Sequence, residues 1–155
     1  MPDIVTPAVR SRMMAGIKSK NTKPEQFIRK TLHRLGYRYR LHVRHLPGKP
    51  DLVFRKYNAV IFVHGCFWHG HDCHLFKWPK SREEFWKTKI TRNQVKDIEN
   101  REALMNRGWR VLEIWECALK GKTRLDPAIL VEQIVSWLDS SEVKLVIRGQ
   151  QAEDL

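Results

Sequence analysis

Between Ile61 and Cys73 the chain packs three histidines, two cysteines and the adjacent rings Phe67 and Trp68 into one short segment. A packed core has no use for that mixture. Cys66, His71 and Cys73 fall within eight residues, and Cys117 is the remaining cysteine. Together they form a Cys₃His set, which zinc accepts in closed tetrahedral structural sites. Ordinary buried thiols are the plain alternative. In that case all three would have to fall by chance beside histidines or at a strand end. An odd cysteine count and no apolar signal-peptide core at the N-terminus also argue against a disulfide framework.

A second chemistry lies in the carboxylates. Asp51 opens a strand directly after Pro50, and Glu25 sits in the first turn of a helix. Phosphodiester hydrolysis uses such acids to hold Mg²⁺, which bridges phosphate oxygens and lowers the pKa of an attacking water. Each acid alone has a simpler explanation, as a favourable charge at a helix start or as a turn cap. Yet residues 1–56 hold only three acids, and two fall where a nuclease would want them. The following strand carries no lysine to support the water and runs instead into His64 and His69, which can do proton work near neutral pH. On an extended segment Phe67 and Trp68 point opposite ways and cannot both face one core. Rings so placed could enter between base steps, with Trp86 as a weaker candidate.

These residues need elements to position them. Pro24 starts a helix with Ile28, Leu32 and Leu35 inward, and Gly36 stops it. Tyr37–Val43 alternates as a strand, 46–50 turns, and Asp51–Phe54 pairs with Ala59–Val63 as a hairpin. A long helix spans Arg82 to Arg107 with Phe85, Val95, Ile98 and Met105 inward. Trp109–Trp115 is a buried strand, its tryptophans core residues like Trp137. Asp126-Pro127 caps a last helix carrying Ile129, Leu130, Ile134 and Leu138. The order α-β-β-β-α-β-α implies an α/β domain, a mixed sheet flanked by helices. The expected division is a basic arm over 1–22, with a short helix near Val9–Ile17, the domain over 23–139, and a tail over 140–155, either strand or irregular.

The 155 residues carry a net charge of +12, and residues 1–56 supply fourteen Lys/Arg against three acids. One-sided excess of this kind is the footprint of a polyanion binder. Without a long amphipathic helix in the basic region, nucleic acid outranks a membrane surface. No apolar run reaches spanning length, so a soluble cytoplasmic protein is expected.

His64-Gly65-Cys66-Phe67-Trp68-His69, with Pro50-Asp51 before it and Trp115-Glu116-Cys117-Ala118-Leu119 after it, resembles the very-short-patch repair (Vsr) endonucleases over Arg10 to Leu138. The resemblance implies a restriction-endonuclease-like (PD-(D/E)XK-type) fold with an added structural zinc. It also implies a Mg²⁺-dependent nickase that cuts one strand of duplex DNA 5′ of the thymine in T:G mismatches left by 5-methylcytosine deamination. On that analogy Asp51 and the main-chain carbonyl of Val63 bind Mg²⁺, and His69 assists the water. Glu25 and His64 bind metal-bound waters, and Asp97 orients a histidine. Phe67, Trp68 and Trp86 form an aromatic wedge, opposed by Met14 and Ile17 from the arm. Cys66, His71, Cys73 and Cys117 hold zinc. A monomer suffices for a strand-specific nick, and mismatch-repair proteins and a repair polymerase are the implied protein partners, in a bacterial nucleoid setting. The chain departs from the family pattern at Gly70 and Asp72, where a longer histidine run is usual, and at Val63, where threonine is. A main-chain ligand survives the last change. The competing readings are a restriction-like endonuclease cutting both strands and a non-catalytic zinc-containing DNA-binding protein.

Overall fold

Thr22 caps the first helix, its hydroxyl accepting the Glu25 N–H at 3.3 Å, and Pro24 occupies the first turn without wasting a donor. Helix α1 runs Lys23–Arg34 and buries Glu25, Ile28 and Leu32 along one face. Leu35 lies beyond the last turn and is exposed, contrary to the inward placement expected for it. The chain then forms β1 (Arg40–Leu41), β2 (Leu52–Phe54), β3 (Ala59–His64), α2 (Glu83–Asn106), β4 (Arg110–Trp115), α3 (Pro127–Leu138) and β5 (Lys144–Ile147). This computed structural model describes residues 22–150, so Met14 and Ile17 lie outside the described residues.

The five strands form one mixed sheet in chain order, β1-β2-β3-β4-β5. The first three are antiparallel neighbours, and β3, β4 and β5 run parallel. Helices α2 and α3 are the crossovers that parallel pairing requires. Period-2 alternation sends Ala59 and Ile61 of β3 into the layer shared with α1 and α3. Val60 and Phe62 go to the opposite layer with Leu104 of α2. His64 and Glu113, by the same alternation, lie on the α2 side.

Three expectations need correction. The strand expected over Tyr37–Val43 shrinks to two residues, because His42 adopts a left-handed φ of 47° and breaks the extended run. In α2 the buried apolar residues are Ile90 and Leu104, with Met105 half-buried, while Phe85, Val95 and Ile98 face solvent. The helix turns polar Asn93, Asp97 and Arg101 toward the sheet instead, at four-residue spacing on the Ile90 face. In α3 the cap is as expected, Asp126 accepting the Ala128 N–H at 2.8 Å, but Ile129 is exposed. The stretch after Ser140, expected as strand or irregular, supplies β5, in register from Val111↔Lys144 to Ile114↔Ile147.

Candidate active site and metal centre

Three clusters of metal-competent side chains gather at the ends of β2, β3 and β4. The first is Glu25, His42 and Asp51. Asp51 Oδ2 accepts the Val63 N–H at 2.7 Å, a contact made possible because β2 and β3 are hairpin partners. His42 Nε2 bonds Glu25 Oε2 at 2.8 Å and stands 3.9 Å from Asp51 Oδ1. Arg29 also meets Glu25, at 3.1 Å. Burial, together with the neighbouring Glu25 charge, pushes the Asp51 carboxyl up to about 8 against the lowering effect of the Val63 N–H. Two carboxylates crowded into a buried corner ask for a cation, and the set Glu25, His42, Asp51 could hold one.

The second cluster is His64, His69 and Asp97. Asp97 Oδ2 bonds His69 Nδ1 at 2.5 Å. The His64 and His69 rings lie 4.4 Å apart. His64 Nε2 bonds Glu113 Oε2 at 2.9 Å, and the other Glu113 oxygen accepts from Arg101 at 2.6 Å. Burial holds His64 below the usual imidazole range despite Glu113. For Glu113 burial works upward, but the bonds from His64 and Arg101 outweigh it and hold the carboxyl low. Asp51, Val63, His64, His69 and Asp97 all line one cleft of about 370 Å³, with Arg44, Lys49 and Arg101 supplying positive charge around it. Glu25 is 1% exposed and does not line the cleft; it sits behind Asp51 and His42.

The third cluster is Cys66, His71, Cys73 and Cys117. His71 Nδ1 lies 3.5 Å from the Cys66 sulfur and 3.6 Å from that of Cys117. Two ligands at ordinary Zn–S and Zn–N lengths subtend about 3.6 Å across a tetrahedron, so the set fits a four-coordinate ion. The Cys117 N–H donates to Cys66 Sγ, and the Gly149 N–H to Cys117 Sγ, each at 3.3 Å. Sharing with Cys117 pushes the Cys66 thiol up and burial raises Cys73, while bonding from Cys66 and His71 pulls Cys117 down to about 4. Three thiols this close cannot all ionise unaided, and a cation would replace the protons they retain.

The aromatic residues meet, but not as an extended segment would place them. Cys66–Gly70 is a turn, and Phe67 and Trp68 touch edge to face at 5.3 Å. Trp86 from the start of α2 joins both, at 5.3 and 5.8 Å. Gly70 closes the turn at φ +59°, where a Cβ would meet Ile90 Cγ2 at 2.6 Å, so α2 packs straight onto its backbone. Trp115 is not a core residue as expected: it stacks on His71 at 4.0 Å and 10° and packs against His64 at 4.8 Å. Sequence reasoning also missed His42, Arg101 and Glu113. Glu113 alone left a signal, as the one charge inside the apolar run Val111–Trp115. His42 and Arg101 become meaningful only through their tertiary partners.

Comparison with known proteins fits this geometry. The sequence profile described as "DNA mismatch endonuclease Vsr" matches residues 2–75. A "Type II nicking enzyme V.XorIIP" from Xanthomonas oryzae pv. oryzae is 48% identical over 119 residues, covering 77% of this chain and 88% of the relative. The "DNA mismatch endonuclease Vsr" of Escherichia coli is 42% identical over 138 residues, 89% of this chain and 88% of the relative. A clustered acid and histidine site at the edge of a mixed sheet, with relatives of these names, makes the protein an endonuclease that acts on DNA. It belongs to the Vsr family of DNA mismatch endonucleases. No described helix is long and apolar enough to cross a membrane.

Proposed function

We propose that this endonuclease is a Mg²⁺-dependent, strand-specific nickase that cuts duplex DNA 5′ of the thymine in T:G mismatches arising from 5-methylcytosine deamination. The observation that carries the reading is the convergence of Asp51, Val63, His64, His69 and Asp97 on one cleft, with Phe67 and Trp68 on the turn that carries His69 and Trp86 of α2 packed against both. Asp51 and the main-chain carbonyl of Val63 are the cation's ligands, while Glu25, tied to His42, and His64 hold its water shell. The bound ion supplies charge to the scissile phosphate and acidifies the attacking water. His69, with Nδ1 committed to Asp97, leaves Nε2 to accept that water's proton. Arg44 and Lys49 draw the phosphate backbone toward the cleft.

The aromatic cluster suits a distorted duplex: prising apart a base step costs a few kcal/mol, and least at a mismatch. This preference favours the mismatch reading over a restriction-like enzyme that cuts both strands of a matched site. Met14 and Ile17 are assigned to the opposite groove. Zinc is the ion best suited to Cys66, His71, Cys73 and Cys117, and four protein ligands make its role structural. The fold is assigned to the restriction-endonuclease-like, PD-(D/E)XK type, acting as a cytoplasmic, nucleoid-associated monomer alongside mismatch-repair proteins and a repair polymerase.

The test is a nicking assay with Mg²⁺ on matched and T:G duplexes, each labelled in turn on either strand. Cleavage confined to the thymine strand of the mismatch is expected. Equal cutting of both strands in matched DNA would instead identify a restriction-like enzyme, and binding with no cleavage anywhere would leave a non-catalytic DNA-binding protein.

A further inference from the structure

We propose that Glu113 is a positioning residue of the active centre. Anchored by Arg101, it fixes one orientation and one tautomer of His64, so that this histidine, like His69 with Asp97, is held by a carboxylate. The inference rests on the nickase reading above and extends it to residues of β4 and α2.

Glu113 is the only charged residue in the interior of β4 and is 4% exposed. A carboxylate in such a place must be paired and hydrogen-bonded. Arg101 would meet that need through Oε1 alone, yet Oε2 is committed to His64 Nε2 at 2.9 Å. A carboxylate facing Nε2 requires that nitrogen to carry the proton, which leaves Nδ1 with the lone pair. His69 is held the opposite way round, with Asp97 on Nδ1. The two rings, 4.4 Å apart, therefore have opposite nitrogens committed. Phe62 stacks on the His64 ring at 5.5 Å and 14°. With Trp115 also against the ring, rotation to the other nitrogen is blocked by packing as well as by the bond.

Helix α2 links both pairs. Asn93, Asp97 and Arg101 recur every four residues on its sheet-facing stripe. Asn93 donates to the Trp68 carbonyl at 2.8 Å, Asp97 bonds His69, and Arg101 holds Glu113. One rigid element thus sets the aromatic turn and both histidines at once, the kind of support that keeps a reacting constellation in register.

Two measurements test this. In wild-type protein, long-range ¹H–¹⁵N NMR should show His64 as the Nε2–H tautomer; an Nδ1–H tautomer overturns the proposal whatever any variant does. The double variant R101M/E113L replaces the pair with apolar side chains, so no lone charge stays buried and the fold is retained. Its kcat on T:G duplex should fall about tenfold or more while KM stays within about twofold. Glu113→Gln, which keeps an acceptor oxygen for Nε2–H, should recover part of that loss. A folded R101M/E113L that nicks at the wild-type rate would reduce Glu113 to a structural role. Failure of wild-type protein to nick any T:G duplex would refute the nickase reading instead, and the tautomer measurement would still decide the geometry.

Discussion

Asp51 bears the heaviest electrostatic strain in the cleft. Its carboxyl is raised from 3.8 to about 8 in the folded chain, so the metal-free fold takes up a proton on forming and loses stability as pH rises from about 4 to 8. Asp51→Asn keeps an acceptor for the Val63 N–H but removes the ionisation. At pH 8 without divalent ions this variant should melt above the wild type, the gain being at most about 5 kcal/mol and fading near pH 4. Mg²⁺ should raise the wild-type melting temperature at pH 8 and leave that of the variant unchanged, and the variant should not nick. A metal-free Asp51→Asn protein less stable than wild type at pH 8 would contradict the burial argument.

Among the elements, α1 and α3 were legible because local chemistry marks their ends: Thr22 and Pro24, and Asp126 and Pro127. The length of α2 was equally plain, but its orientation was not. A stripe of Asn93, Asp97 and Arg101 toward the sheet defies the rule that apolar residues face inward, because what lies beneath this helix is a polar cleft. The site divides the same way. Asp51, His69 and the cysteines stood out by spacing, whereas His42 and Arg101 gain meaning only from partners 17 and 12 residues away. The segment after β5 was the least legible, and it has a task. Gly149 donates to the Cys117 sulfur, where a Cβ would also meet the Cys117 carbonyl at 2.5 Å, and Arg148 holds Asp72 at 2.7 Å. An N–H bonded to a thiolate sulfur supports its ligand role from outside the coordination shell. Gly149→Ala should therefore weaken zinc retention by about tenfold to a hundredfold in chelator competition. Unchanged retention would mean that the tail merely lies nearby.

On the scale of the whole molecule, charge governs encounter. The first 56 residues hold fourteen basic side chains, and DNA bears one charge per phosphate. If six of them contact phosphates, raising salt from about 50 to 200 mM should lower affinity about a thousandfold for matched and mismatched DNA alike. The ratio between the two should hold if, as proposed, the aromatic cluster and not the charge supplies the preference. A shallow salt slope with high affinity would mean that the basic third faces elsewhere.

The strand order of the sheet bears on time as well as space. Each strand pairs with its predecessor in the chain, so β1, β2 and β3 can pair across short connections as the polypeptide emerges, whereas β3 and β4 meet only across 51 residues. The thiol cluster closes over the same span, joining Cys66 to Cys117 across 51 residues, and takes in Gly149 after β5. A metal ion held by this cluster would therefore be enclosed only once the residues after β5 are in place. The rigidity of the turn that carries His69 would then depend on chain as distant as Gly149, the contact that joins the end of the described residues to the edge of the cleft.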